Sequence, residues 1–256
     1  VDTAPGWYRI GGSTIRDVHD YGEISVFDVL VHSSNIGSAK IALAFPFEKL
    51  FNTLESVGFD EPAAELPGEI RGALVRRSKP IEHATFSFGY GFSVTPLQLA
   101  RSYTALATDG ELLPLTLEPR EEGYRVRGER VFSEATVVHL REMMEKVATP
   151  EGTARKARIP RYRVGGKTGT THKLVDGNYN NKRYISLFAG MAPISQPRFV
   201  MVVTVDDPRG KRYYGGDVAA PVFSELMQDL MRLYNVPPDN SIDTQVTGVD
   251  DHGNPA

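Results

Sequence analysis

The sequence predicts an α+β fold, an antiparallel sheet covered by helices, with a mostly helical lobe ahead of it. Three observations carry this. Through about residue 148 apolar residues recur at helical spacing. Between 162 and 205 three short runs of strand-forming residues follow one another across brief turns, which suits antiparallel pairing. A last helical run at 217–234 closes the order of helices, strands and helix.

In order, residues 1–22 are rich in Gly, Asp and Tyr and read as loop, with an extended piece at Trp7–Ile10. Ile24–Val31 has helical spacing that Asn35 interrupts, and a second run follows from Ile36 to Leu43. Phe47–Val57 carries Leu50, Phe51, Leu54 and Val57 and is ended by Gly58. Residues 62–82 hold Pro62, Pro67, Gly68, Gly72 and Pro80 and read as a surface excursion. Thr95–Thr108 is a helix, with Thr95 as cap, Pro96 in the first turn and Asp109-Gly110 as the stop. Ser133–Ala148 is another, capped by Ser133 and apolar along Val137, Leu140, Met144 and Val147. The strands are expected at Tyr162–Thr171, Tyr184–Met191 and Phe199–Val205. Asp217–Tyr234 reads as one long helix. Residues 1–236 form the folded part, and the polar, aperiodic stretch 237–256 is expected to be a disordered tail.

The 256 residues suit one large domain or two small ones. With 41% hydrophobic and 24% charged residues the composition is that of a globular protein. A net charge of −3 without a basic stripe argues against a nucleic-acid partner. The absence of cysteine excludes disulfides and thiolate metal sites. No run of about 20 apolar residues occurs, and no signal peptide opens the sequence, so any membrane anchor is expected upstream of Val1. The six histidines lack ligand spacing, so no metal is expected, and no cofactor is expected either. Among them His172, two residues past Thr170, is either at the cleft or a solvated loop histidine.

Two segments carry candidate chemistry. Lys167-Thr168-Gly169-Thr170 lies on a predicted strand, where alternation puts both threonines on one side and Lys167 on the other. Two hydroxyls on one edge suit a carboxylate, and Lys167 suits a supply of positive charge. Gly169 suits close approach by a helix or ligand, and at a sheet edge the Thr170 N–H is free to donate to an oxyanion. A strand with a solvated lysine and two ordinary threonines is the plain alternative. Ser33-Ser34-Asn35 sits between two helical runs. Either serine suits a helix cap, and the alternative gives Ser33 a proton-relaying hydroxyl and Asn35 a substrate-holding amide. Ser-x-Asn followed 132 residues later by Lys-Thr-Gly matches two of the three motifs of penicillin-binding proteins and class A β-lactamases.

The flanking residues narrow this. Ile15-Arg16-Asp17-Val18, Ser33-Ser34-Asn35-Ile36-Gly37, Phe86-Ser87-Phe88-Gly89-Tyr90-Gly91, Val94-Thr95-Pro96-Leu97-Gln98, Ala192-Pro193-Ile194-Ser195 and Tyr213-Tyr214-Gly215-Gly216 accompany Lys167–Thr170. From about Trp7 to Pro238 the chain resembles the C-terminal part of the transpeptidase domain of division-specific class B penicillin-binding proteins. The resemblance implies a β-lactamase/D,D-peptidase-like fold. It implies a peptidoglycan D,D-transpeptidase that cross-links stem peptides ending in D-Ala-D-Ala at the septum and is acylated by β-lactams. It also implies division-complex partners, including a lipid II polymerase, and a place on the periplasmic face of the bacterial inner membrane. Carried over, Ser33, Asn35 and Lys167 are the catalytic set. Thr168, Gly169, Thr170, Tyr90, Tyr214 and Gly215 bind substrate, although tyrosines are more often core or interface residues.

One motif has no counterpart. No serine in the chain is followed by lysine three positions later; Ser38 and Lys40 are two apart, and Thr153-Ala154-Arg155-Lys156 lacks the family's context. The attacking serine is therefore expected upstream of Val1. A β-lactamase or β-lactam sensor relative and a catalytically silent scaffold of the division complex stand as the alternatives.

Overall fold

The computed structural model describes residues 1–64, 66–76, 79–121, 124, 126–175 and 178–240. The order is β1 (Trp7–Ile10), β2 (Ser13–Arg16), α1 (Val26–His32), α2 (Asn35–Leu43), α3 (Phe47–Ser56), α4 (Pro80–Phe86) and α5 (Pro96–Ala107). Then come β3 (Glu111–Leu112), β4 (Glu129–Arg130), α6 (Glu134–Val147), a 3₁₀ turn (Arg155–Ala157), β5 (Gly165–Val175), β6 (Asn178–Ala192), β7 (Phe199–Asp206), α7 (Gly215–Val218) and α8 (Ala220–Leu233). The sheet β5-β6-β7 is antiparallel throughout, with β5 at one edge.

Helices pack on both faces of this sheet. On one, Phe223, Met227 and Met231 of α8 meet Phe188 and Ala192, with Val147, Ala157 and Ile159 completing the cluster. Phe188 and Phe223 meet edge to face at 4.8 Å. Each fully buried ring contributes about 2–3 kcal/mol through burial. On the other face Met144, Met191 and Ile194 pack with Tyr103 and Leu106. The helical lobe has its own smaller core of Ile15, Ile36, Ala39 and Ala84.

Caps at α5 and α6 follow the expected residues. Thr95 Oγ1 accepts from the Gln98 N–H and Ser133 Oγ from the Thr136 N–H. Five features depart from expectation. The opening segment holds a second strand, β2, whose Ile15 is buried against α2. The excursion at 62–82 ends in a helix, α4, because Pro80 occupies a first-turn position where its missing N–H costs nothing. Its irregular part is pinned by side chains. Glu69 accepts from the Ala63, Ala64 and Leu66 N–H groups, while buried Gln98 accepts from Gly72 and Thr95 and donates to the Phe59 and Glu61 carbonyls. The first strand starts at Gly165 rather than Tyr162. The β5–β6 hairpin runs further out than expected, with a register shift between His172 and Lys173. The final helix is two helices, α7 and α8, since Pro221 can only stand in a first turn.

Of the expected tail, residues 241–256 lie outside the described residues. Residues 237–240 are held: Asp239 accepts from the Arg163 N–H and from Ser195 Oγ, both at 2.7 Å, and the Asn240 N–H reaches the Arg161 carbonyl.

Candidate active site

The break between α1 and α2 is built by three side chains. Ser33 closes α1 in the left-handed conformation, at φ 58°. That turn leaves Ser34 as the cap of α2, its Oγ accepting from the Gly37 N–H at 2.9 Å. Asp17, in the loop after β2, anchors the same place. Its carboxylate accepts from Ser34 Oγ at 2.5 Å, the Asn35 N–H at 2.6 Å and the Ile36 N–H at 3.1 Å. Of the two serines, Ser34 is thus the buried structural one and Ser33 the exposed one. The helix begins at Asn35, so the interruption in the apolar pattern falls one or two residues earlier than the sequence suggested. Ser34→Ala is expected to cost about 1–2 kcal/mol of stability, the usual value of a lost N-cap, measured by denaturant unfolding.

β5 brings the second segment to this loop. Lys167 Nζ donates to Ser33 Oγ at 2.8 Å, across 134 positions of sequence, and to the Thr168 carbonyl at 3.0 Å. Burial pushes its ammonium down to about 8. Thr168 and Thr170 face the other way, as alternation requires. Thr168 Oγ1 shares a hydrogen bond with Thr153 Oγ1 at 3.0 Å, and Thr170 Oγ1 accepts from the Gly215 N–H at 3.0 Å.

The close approach expected at Gly169 is made by Leu187 of the neighbouring strand. A Cβ there would lie 2.9 Å from the Leu187 Cγ. The helix approaches instead at Gly215. A Cβ on Gly215 would collide with the Leu187 carbonyl oxygen and lie 2.6 Å from that of Gly169, so the start of α7 rests directly on the β5–β6 backbone. A Cβ on Gly216 would likewise strike the Thr153 carbonyl oxygen.

Ser33, Asn35, Lys167, Thr168, Gly169, Thr170, Tyr90, Tyr214 and Gly215 all line one open cleft of about 1350 Å³. Asn35 donates one amide hydrogen to the Arg16 carbonyl at 3.0 Å, which orients the group. Tyr214 is exposed and ends a ladder of rings: Tyr184 stacks on Tyr213 at 4.0 Å and Tyr213 lies against Tyr214 at 4.6 Å. The Tyr213 hydroxyl and burial raise the Tyr214 phenol above its ordinary range. His172 is neither at the cleft nor in a loop. It sits in β5 against Tyr184 at 4.9 Å and is not among the residues that line the cleft. Among the described residues no group of histidine and carboxylate side chains is placed to hold a metal.

Sequence reasoning gave no role to Asp17, although its segment was singled out, and weighed Thr153 only as a stand-in nucleophile. It missed the pair formed by Lys156 and Asp217. Nothing in the local spacing signals these residues, whose partners lie 15 to 61 positions away. The cleft also has an apolar flank between α1–α3 and α6, lined by Val26, Leu30, Ile41, Phe45, Leu140 and Met143. On it Val26 is 56% and Phe45 51% exposed.

Residues 1–228 match the family described as the penicillin binding protein transpeptidase domain. The chain is 46% identical over 243 residues to the peptidoglycan D,D-transpeptidase FtsI of Escherichia coli K12, covering 93% of this chain and 40% of that protein. It is 39% identical over 241 residues to the probable peptidoglycan D,D-transpeptidase PenA of Neisseria gonorrhoeae, covering 93% and 41%. Among solved structures, the transpeptidase domain of penicillin-binding protein 3 from Burkholderia pseudomallei superposes with a TM-score of 0.88 at 42% identity, covering 94% of this chain and 74% of that one. The chain therefore spans about two fifths of the curated relatives it matches.

Proposed function

Because the chain belongs to the penicillin-binding protein transpeptidase family, we propose that it supplies the substrate-binding half of the active site of a peptidoglycan D,D-transpeptidase. The single observation that supports this most directly is the 2.8 Å hydrogen bond from Lys167 Nζ to Ser33 Oγ, which joins the two motif segments in one cleft.

In this reading a donor stem peptide lies along the edge of β5, where unpaired backbone groups can meet an extended chain. Its terminal D-Ala carboxylate takes hydrogen bonds from the Thr168 and Thr170 hydroxyls. Asn35 holds an amide carbonyl of the peptide with its second N–H, and Tyr90 and Tyr214 wall the cleft. A serine from outside residues 1–256 attacks the penultimate D-Ala carbonyl, since no Ser-x-x-Lys occurs within them. Electron density moves to the carbonyl oxygen, which the Thr170 N–H stabilises as an oxyanion. Lys167 passes a proton through Ser33 to the departing D-alanine amine as the C–N bond breaks, and the proton shed by the attacking serine restores the ammonium. The acyl-enzyme then passes to an amine of a second stem peptide. A β-lactam acylates the same serine, with no amine to release it.

The apolar flank at Val26, Phe45 and Met143 takes the element that carries this serine. Residues 1–236 are the C-terminal portion of the transpeptidase domain. The wider setting follows from the resemblance: septal cross-linking, division-complex partners with a lipid II polymerase among them, and a periplasmic position at the inner membrane. No helix among the described residues is long and apolar enough to cross a membrane.

Residues 1–256 alone are expected to form no penicilloyl adduct, whereas the full-length protein gains the mass of one β-lactam at a single serine. Removing a nucleophile leaves binding but not the covalent route. Intact-mass spectrometry of both proteins after incubation with benzylpenicillin reads this. An adduct on the isolated chain would place the nucleophile within it. Nitrocefin turnover by the full-length protein would favour a β-lactamase relative. An unmodified full-length protein would favour the scaffold, the reading to which the absent Ser-x-x-Lys lends weight.

A further inference from the structure

Beside the threonine hydroxyls lies an ion pair with no part in the mechanism above. Lys156 Nζ donates to Asp217 Oδ1 at 2.5 Å, and Arg212 Nη1 stands 3.8 Å from the same oxygen. Both members of the pair line the cleft, with side chains 28% and 32% exposed. Their position is fixed by their neighbours. Lys156 is three residues beyond Thr153, whose hydroxyl touches Thr168. Asp217 follows Gly216, where a Cβ would lie 3.5 Å from the Thr168 methyl. The pair therefore flanks the Thr153–Thr168 contact at the carboxylate end of the site. Among the other charged residues that line the cleft, Glu151 and Arg155 are neighbours of Thr153 and Lys156 in sequence, and Lys167 precedes Thr168.

We propose that Asp217 is a specificity-determining residue that sets how strongly the cleft prefers anionic ligands. It holds the charge of Lys156, so that a terminal carboxylate meets hydroxyls rather than an unpaired ammonium. The inference rests on the transpeptidase reading, which puts that carboxylate on Thr168 and Thr170. Charge placed near a binding site acts mainly on encounter and discrimination. One unit charge acting over several ångströms in a water-like medium alters a rate by about three- to tenfold.

The test uses the full-length protein and compares benzylpenicillin with its methyl ester. In Asp217→Asn the amide oxygen still accepts from Lys156, so the strut between α7 and the 3₁₀ turn survives while the negative charge is lost. Acylation by benzylpenicillin is expected to quicken about three- to tenfold at low salt. The gain should shrink at about 0.5 M salt, where screening is strong, and be absent for the ester. Lys156→Gln should slow benzylpenicillin by a similar factor, since it leaves Asp217 with only the more distant and more exposed Arg212 as partner, and the double variant should return close to the parent. A merely structural role would slow both single variants with both ligands, and that pattern overturns the inference, as does an Asp217→Asn variant indistinguishable from the parent. Either result with an acylated parent leaves the transpeptidase reading standing. A parent that is never acylated sinks that reading and this inference together.

Discussion

Lys167→Met in the full-length protein is expected to slow acylation by benzylpenicillin about 10²- to 10⁴-fold, the usual range for losing a positioned proton-transfer group. The methionine stem fills much of the space of lysine but gives Ser33 no partner. At neutral pH Nζ donates to the Ser33 hydroxyl, so the proposed relay starts from the ammonium. Burial lowers this group to about 8, and the parent's acylation rate should therefore fall as pH rises through about 8. The variant should lack that inflection. Stability should move in the other direction. A lysine whose folded value lies below the unfolded 10.5 binds fewer protons when folded, so its penalty on the fold is full below pH 8. The penalty is relieved between about 8 and 10.5. Lys167→Met removes the desolvated cation, and the variant should be no less stable than the parent at pH 7. Stopped-flow acylation from pH 6 to 10, with urea unfolding at pH 7, separates the two effects. A variant that loses activity and stability together would make Lys167 a structural residue.

How much of this was readable from sequence depends on the distance over which each feature is decided. The caps at Thr95 and Ser133 lie within three residues of their partners, and both were legible. So were the three strands, because β-branched runs between short turns report local preference. The two motif segments were legible as chemistry, but only the folded chain brings Ser33 to Lys167. Features that rest on distant partners were hidden. Pro80 reads as a breaker and turns out to start a helix, because burial of Ala84 and Phe86 decides the matter. Gly215 carried no sign of its carbonyl neighbours, which come from two strands more than 25 residues back. His172 is two residues past Thr170, yet its ring rests on Tyr184 of the neighbouring strand and does not line the cleft.

Asp17 is the clearest such case, and Asp17→Ala carries the second large expected effect. One carboxylate accepts from Ser34 Oγ and from the N–H groups of Asn35 and Ile36. Hydrogen bonds to a charged group contribute about 1.5–3 kcal/mol each, and a buried donor left without a partner costs further. Water can reach part of the site, so a loss of about 3–4 kcal/mol is expected, measured by urea unfolding. Asp17→Asn keeps an oxygen for the two N–H groups and should cost about 1–2 kcal/mol. The effect on acylation follows from the same contacts. Ser33 holds a left-handed conformation that the following turn must enforce, and Asn35 is oriented by the backbone of Arg16, next to Asp17. Freed from its anchor, the loop no longer presents the Ser33 hydroxyl to Lys167. Acylation of the full-length Asp17→Ala protein, at a temperature where it remains folded, should then fall by at least tenfold relative to the parent. Undiminished acylation there would mean that the α1–α2 turn holds its shape without the carboxylate, and that Ser33 owes its place to the helices alone.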